Sequence, residues 1–474
     1  MEDVKNNESS ENKAEELSSA LCYKKENAFE KITDDELERS MAYSETYKLF
    51  LDMSKTEREA VKYAIALAKT KGYSEFDFGT KLEKGGKYYY NNRGKQLFLF
   101  RIGKAPVEKT GIKILGAHVD SPRLDLKPQP LYESSGYGFL KTHYYGGIKK
   151  YQWTAVPLAI HGVVAKSNGE VVDICIGEDE DDPIFCVSDL LIHLAGDQMQ
   201  KKLHEGISGE NLNIIFGSEP YRDGKAEDAI KLNLLKILNT KYDIKEEDLI
   251  SAELTAVPAA KARDIGLDRS LIGGYGHDDR CCAYPALTAL FDTDSNEDET
   301  VMVVLADKEE TGSDGVTGIQ SEIFSDLLEE ISEAEGANFR AVKAKSKCLS
   351  ADVSAAFDPN YAEVYEKNNC AFINCGPVIC KYTGSRGKGG TSDATAETVA
   401  YFKNRFNEKG IIWQQGELGK VDQGGGGTIA KYVANLNIDT LDIGIPVISM
   451  HAPYEVISKL DLYMTYKAFC SFID

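Results

Sequence analysis

Histidine and acidic residues stand directly after apolar, strand-like runs at several places in this 474-residue chain. The runs are residues 112–117, 301–306, 348–351 and 443–450. The residues that follow them are His118, Asp120, Glu309, Glu310, Asp352 and His451, and Asp278 opens an apolar helix. In open α/β sheets, active-site residues gather beyond the carboxyl ends of the strands. We therefore expect an α/β fold in which these side chains meet in one pocket.

Two histidines and several carboxylates in one pocket are the ligands that a two-zinc hydrolase uses, since zinc accepts both imidazole nitrogen and carboxylate oxygen. Two cations about 3.5–4 Å apart require a bridging carboxylate. Asp278 is the candidate bridge, because the chain holds it on both sides at a helix start. Neighbouring side chains on extended backbone point opposite ways, so one residue of Glu309-Glu310 can bind metal while the other moves a proton. Asp120 can accept the free imidazole N–H of His118 and fix its tautomer.

Length and charge narrow the class of protein. The chain exceeds the size of one ordinary core, so we expect two domains. Its net charge of −21 argues against nucleic acid or an anionic membrane as partner, since phosphate binding needs basic patches. The first thirty residues are polar and lack the apolar core of a signal peptide, and no apolar run is long enough to cross a bilayer. We expect a cytoplasmic protein whose ten cysteines are free thiols.

The motifs are separated by a middle region that carries none of them. Before it, Thr33 and Ser54 each begin a capping-box pattern that predicts a helix. Residues 129–255 read as Gly- and Tyr-rich strands, and the catalytic pattern resumes near Ser251. We therefore expect a catalytic domain built from residues 1–128 and 256–474, interrupted by a β-rich domain at 129–255.

Six segments make a specific resemblance. They are GAHVDSPRLDLKPQP (116–130), GYGHDDRCCAYPAL (274–287), DKEETGSDG (307–315), SADVSAAFDPNY (350–361), GPVICKYTG (376–384) and IPVISMHAPYE (445–455). In their order and spread the chain resembles the aspartyl aminopeptidase/aminopeptidase I family of two-zinc exopeptidases. The resemblance implies a mixed-sheet zinc-peptidase catalytic domain with an inserted dimerisation domain, and a peptide substrate.

The resemblance also implies roles for single residues. His118, Asp278 and Asp352 would bind one zinc, and the shared Asp278 would bind the other with Glu310 and His451. Glu309 would be the general base, and Asp120 would orient His118. His193 is similar to a histidine that reaches a neighbouring subunit's active site, in a family that builds tetrahedral dodecamers from dimers. Two divalent ions per subunit are implied, with Zn²⁺ favoured and Co²⁺ or Mn²⁺ as alternatives.

The chain departs from the family pattern at substrate-contacting positions. Ala355 and Asp358 stand where histidines are common in the family. In members that prefer acidic substrates, a lysine directly follows Gly-Pro-Val-Ile, whereas here Cys380 takes that place and Lys381 comes next. A one-residue offset on a strand turns a side chain to the other face. Lys381 thus stays a candidate substrate contact, and both acidic and neutral N-terminal residues remain open.

Three functions are compatible with these residues. The first is a metalloaminopeptidase that removes single N-terminal residues from peptides, with a metal-bridged water activated by Glu309. The second is a related two-metal amidohydrolase acting on small N-acyl substrates, and the third is a catalytically silent assembly scaffold. The metal and base positions are all occupied by competent residues, which favours the first.

Overall fold

A nine-stranded mixed sheet organises the fold in this computed structural model, which describes residues 13–293 and 297–474. In spatial order its strands are β1 (Ser74–Glu75), β2 (Lys87–Asn92), β3 (Gln96–Arg101), β14 (Thr300–Ala306), β4 (Ile112–His118), β15 (Lys347–Ala351), β21 (Asp439–Gly444), β17 (Val378–Cys380) and β19 (Gln414–Gln415). β14, β4, β15 and β21 run parallel to one another, and Ala306 lies opposite His118. Their carboxyl ends therefore meet at one edge, which we call the carboxyl edge.

The central strands are apolar because helices cover both faces of the sheet. Every residue of β4 and β14 is buried, as expected for parallel strands inside an α/β fold. The α-helices with both ends defined among the described residues are α1 (Asp34–Asp52), α2 (Glu57–Thr70), α3 (Val107–Thr110), α4 (Leu203–Gly206), α5 (Ala229–Tyr242), α6 (His277–Asp292), α7 (Ile323–Ala334), α8 (Phe339–Lys345), α9 (Ala396–Glu408), α10 (Ala430–Ala434) and α11 (Lys459–Ile473). The predicted α/β class is confirmed.

Helices α1 and α2 test the capping-box predictions. Thr33 caps α1 with a complete box to Glu36, as predicted. The predicted start of α2 at Ser54 is wrong, because the box belongs to Thr56, whose backbone N–H donates to Glu59 Oε2 over 3.0 Å. Ser54-x-x-Glu57 and Thr56-x-x-Glu59 share the same spacing two residues apart, and the hydrogen bonds select the second.

A seven-stranded sheet with its own apolar core occupies the middle of the chain. In spatial order its strands are β8 (Val171–Ile176), β7 (Leu158–Ala165), β11 (Ala252–Pro258), β5 (Arg123–Ser134), β6 (Tyr137–Tyr145), β10 (Ile214–Gly217) and β9 (Cys186–Val187). In chain order, the first strand of this sheet is β5, which begins before residue 129, and the last is β11, which ends after residue 255. The division of the chain into domains at those residues stays a prediction.

Two smaller sheets complete the surroundings of the carboxyl edge. The five-stranded sheet contains β12 (Arg263–Ile265), β13 (Leu271–Gly274), β23 (Glu455–Ser458), β22 (Pro446–Ile448) and β16 (Ser354–Ala355). The two-stranded sheet pairs β18 (Gly384–Ser385) with β20 (Gly425–Gly426), which joins two segments, 381–394 and 416–428, that we call the paired loops. Among the described residues, no helix combines the length and apolarity that crossing a membrane requires.

Candidate metal centre and active site

The carboxyl edge brings together the residues that the sequence singled out. His118 ends β4, Asp352 directly follows β15, and Glu309 and Glu310 lie in a short turn after β14. Asp278 comes from the start of α6, and His451 follows β22. These side chains reach one another because parallel strands deliver the residues that follow them to one edge.

Asp278 lies between the two histidines. Its Oδ1 atom is 3.2 Å from His118 Nε2, and its Oδ2 atom is 3.2 Å from His451 Nε2. The Asp278 side chain is only 4% exposed, and its backbone departs from helical geometry at the start of α6. One carboxylate thus presents an oxygen to each imidazole, which is the geometry that a bridging ligand needs.

The remaining carboxylates complete two groups of potential ligands. Glu309 Oε2 and Asp352 Oδ1 are 3.9 and 3.7 Å from His118 Nε2, and Glu310 Oε2 is 3.5 Å from His451 Nε2. Within the described chain, His118 Nε2, Asp278 Oδ1 and Glu310 Oε1 are buried and make no hydrogen bond of good geometry, although the first two atoms lie 3.2 Å apart. Buried polar atoms are ordinarily satisfied, so unpaired donors and acceptors facing one space fit a metal centre.

Burial and crowding shift the pKa values in this centre. Burial, reinforced by Asp352, raises the pKa of Glu309 to about 8, and burial also raises the pKa of Glu310 and of Asp352. Burial opposes the charged form of both histidines, but the surrounding carboxylates outweigh it: the pKa of His118 is raised, and that of His451 is raised to about 10. The centre holds an excess of negative charge that bound cations would offset.

Asp120 connects several parts of the centre. Its carboxylate accepts the backbone N–H groups of Glu309 and Glu310 over 3.1 and 3.2 Å and the phenol of Tyr145 over 2.7 Å. The Nδ1 atom of His118 lies 3.0 Å from the backbone carbonyl of Asp120 and 3.4 Å from its carboxylate. Asp120 therefore holds the backbone of both glutamates as well as contacting the imidazole.

Sequence reasoning missed Glu455 and Tyr145. Glu455 is buried, and its two oxygens accept the backbone N–H groups of Asp278 and His451 over 3.1 and 2.7 Å. Glu455 ends the segment 445–455 and Tyr145 lies outside all six segments, but nothing in the local pattern distinguishes their side chains from ordinary polar ones. Gly147 also contributes, since its carbonyl oxygen lies 2.8 Å from His451 Nδ1 and leaves Nε2 facing the centre.

The other histidines lie outside this centre. His277 is fully buried on the opposite side of its turn, where Tyr47 contacts its Nδ1 over 2.7 Å and burial lowers its pKa to about 3. His161 is paired with Glu59 and Glu178, and His143 and His204 are exposed. His193 lies in a short exposed turn, Ile192–Leu194, away from the cavity of its own subunit. Its expected contact with a neighbouring subunit stays a prediction.

A cavity of about 600 Å³ opens beside these potential ligands. Val353, Ser354, Cys380 and Met450 line it next to them, and the paired loops form its outer wall. Lys381 is not among the lining residues, and its ammonium lies 2.5 Å from Asp393 Oδ1. β17 ends at Cys380, whose side chain lines the cavity, so the expected contact of Lys381 with substrate stays a prediction.

Comparisons with known proteins show which family this chain resembles. The family model described as aminopeptidase I zinc metalloprotease (M18) matches residues 50–473. A relative from Clostridium acetobutylicum, named probable M18 family aminopeptidase 1, is 49% identical over 456 residues, which cover 94% of this chain and 98% of the relative.

Solved structures share the fold. The M18 aminopeptidase of Thermotoga maritima superposes with a TM-score of 0.91 at 42% identity, covering 95% of this chain and 99% of that one. A structure of the S. cerevisiae mApe1 dodecamer has a TM-score of 0.75 at 24% identity, covering 91% of this chain and 96% of that one. From the family match, the identity over nearly the whole chain and the shared fold, this chain belongs to the M18 aminopeptidase I family of zinc metalloproteases, which are peptide-bond hydrolases.

Proposed function

We propose that this chain hydrolyses the peptide bond after the N-terminal residue of a peptide, at a centre of two divalent metal ions. The observation that carries the proposal is the position of Asp278, with one carboxylate oxygen 3.2 Å from each of two imidazoles. His118 and Asp352 would complete the ligands of one ion, and Glu310 and His451 those of the other. Zinc suits these nitrogen and oxygen donors, and Co²⁺ or Mn²⁺ would compete for them.

When bound, the two ions would polarise the scissile carbonyl and lower the pKa of the attacking water. The protein's part in the reaction is positioning and proton transfer. Glu309 is the proposed general base, because its carboxylate borders the cavity and its backbone is fixed by Asp120. It would accept the proton from water on one carboxylate oxygen and return it to the departing amine.

The residues that line the cavity beside the proposed ligands favour a substrate whose N-terminal side chain is neutral. Val353, Cys380 and Met450 carry no charge, and the lysine of acid-preferring members is absent from the position that Cys380 occupies. We propose that the N-terminal residue is neutral or apolar, since an acidic side chain would lose hydration here without gaining a cation.

The proposed assembly is a homo-oligomer built from dimers, with a tetrahedral dodecamer as its full form. The support within this chain is a stretch of exposed apolar side chains around His193, namely Leu190, Leu191, Ile192, Leu194, Met199 and Leu203. Exposed apolar patches of this kind mark protein interfaces. The dimer contacts would come from the proposed inserted domain, 129–255, with His193 reaching the partner's cavity, and the proposed location is cytoplasmic.

The experiment is hydrolysis of aminoacyl-p-nitroanilides of Leu, Met, Lys, Asp and Glu, with N-acetyl-Leu-p-nitroanilide as control, by metal-stripped protein before and after addition of zinc, cobalt or manganese. We expect metal-dependent cleavage of the free-amine substrates, with Leu or Met ahead of Asp and Glu. Cleavage of the acetylated control would instead indicate the amidohydrolase. Inactivity towards these substrates and towards Leu-containing peptides would instead favour the catalytically silent assembly scaffold.

A further inference from the structure

Three cationic side chains line the mouth of the cavity. Arg386 and Lys388 come from one of the paired loops and Lys420 from the other, and all three are exposed. They border the same space as Asp278 and Glu309. In a chain of net charge −21, a cationic rim at the cavity mouth runs against the overall composition.

The acidic residues of the paired loops leave part of this charge unbalanced. Asp393 is shared between Lys381 and Lys388, with ammonium–carboxylate distances of 2.5 and 2.9 Å. Glu417 accepts the phenol of Tyr382, and Asp422 is not among the lining residues. Within the described parts of the chain, Arg386 and Lys420 make no ion pair, so their charges face the mouth free of a carboxylate partner.

Contacts between the paired loops fix the positions of these cations relative to one another. Gly384 pairs with Gly426 and Ser385 with Gly425, and the Tyr382–Glu417 hydrogen bond joins the loops a second time. Gly425 has a φ of +132°, and a Cβ there would lie 2.3 Å from the Gly384 carbonyl oxygen, so this close pairing requires glycine. Lys388 is further restrained, since its ammonium lies 3.7 Å from the centre of the Tyr382 ring.

The cationic residues of the rim are more exposed than the proposed metal ligands. The side chains of Asp278 and Glu310 are each 4% exposed, whereas that of Lys388 is 44% exposed. An enzyme that removes one residue must place the substrate's N-terminus beside the buried ligands. The peptide beyond the scissile bond then has to leave along the rim.

We propose that Arg386, Lys388 and Lys420 bind a carboxylate on the departing part of the peptide. This inference rests on the proposed function and names its substrate class: short peptides whose C-terminal carboxylate reaches the rim, or longer ones with an acidic residue just after the scissile bond. Guanidinium and ammonium groups recognise both forms through the same charge-assisted hydrogen bonds.

The test compares substrates that differ in one charge. Leu-Gly-Gly is paired with Leu-Gly-Gly-amide, and Leu-Glu-Gly-amide with Leu-Gln-Gly-amide. An exposed ion pair is worth up to about a fivefold preference, so the three cations together predict a kcat/KM ratio of about 3–10 for the charged member. The ratio should shrink towards 1 as NaCl rises to about 1 M, where charges are screened within about 3 Å.

The variant R386Q/K420Q should lose most of this ratio, and a general loss of activity cancels because the ratio is internal. Lys62→Gln is the matched control, since Lys62 pairs with Asp173 on an exposed surface away from the cavity, and it should keep the ratio. A preference for Leu-Gly-Gly over its amide, without a preference in the second pair, would show that the rim binds the C-terminal carboxylate. A preference for Leu-Glu-Gly-amide over Leu-Gln-Gly-amide alone would show that it binds the acidic side chain. Ratios near 1 in the unmodified enzyme, or unchanged in R386Q/K420Q, would overturn the inference, whereas failure to cleave any of the four peptides would overturn the proposed function itself.

Discussion

The carboxyl edge and the paired loops face the same cavity but are built in opposite ways. The edge presents side chains from the ends of buried parallel strands, and its carboxylates accept backbone N–H groups from neighbouring turns. The paired loops are exposed, rich in glycine and joined by only two residue pairs and one side-chain hydrogen bond. The sheet therefore fixes the position of the reacting groups, and the loops provide the surface that distinguishes one peptide from another.

The largest expected effect is that of Asp278→Ala at the carboxyl edge. Removing the carboxylate between the two histidines should release both metal ions and lower kcat/KM by more than the roughly 10²–10⁴-fold cost of losing a general base. Metal content per subunit, measured by mass spectrometry, and peptide hydrolysis test this. Asp393→Ala on the paired loops is the matched control and should retain both ions. Two ions bound to Asp278→Ala would show that the bridge is another residue.

Glu309→Gln should separate proton transfer from metal binding. The amide cannot accept the proton, so kcat should fall by about 10²–10⁴-fold while the metal content is unchanged. Glu310→Gln is the comparison, because that residue is a proposed ligand and its loss should reduce metal occupancy. Near-normal turnover by Glu309→Gln would remove Glu309 from the mechanism.

Tyr145→Phe tests the contribution of the hydrogen bond that the Tyr145 phenol donates to Asp120. The phenol donates to Asp120, which in turn holds the backbone of Glu309 and Glu310. Losing such a supporting hydrogen bond typically costs about 10–100-fold. We expect the loss in kcat rather than KM, because the altered groups act on the reaction and not on the peptide. Tyr137→Phe is the control on the same strand, where the side chain is exposed, and an equal loss there would attribute the effect to folding.

Cys380→Lys should have the smallest effect and act on selection. A cation on the cavity wall should raise kcat/KM for Asp- over Leu-p-nitroanilide by up to about fivefold, the value of one exposed ion pair. Lys381→Gln removes a cation that points towards Asp393 and should leave the Asp-to-Leu ratio unchanged. If Lys381→Gln changed the Asp-to-Leu ratio more than Cys380→Lys did, Lys381 would be identified as a substrate contact.

The positions at the carboxyl edge could be predicted because His and acidic residues follow short apolar runs, which are typical of buried strands. His118 and Asp352 were found in this way, and the structure places them together with Asp278. Glu455 escaped because its importance comes from two backbone N–H groups that tertiary packing brings to it. The substrate contact of Lys381 stays a prediction, because its ammonium pairs with Asp393 in this chain while the adjacent Cys380 lines the cavity. The start of α2 was misplaced because two overlapping sequence patterns competed and only the hydrogen bonds decide between them.

The most direct measurement of the central claim is anomalous diffraction at the zinc edge from crystals of the zinc-loaded protein. We predict two peaks about 3.5–4 Å apart, on either side of the Asp278 carboxylate, one within bonding distance of His118 and the other of His451. A single peak, or two peaks of which either lacks Asp278 as a ligand, would contradict the account.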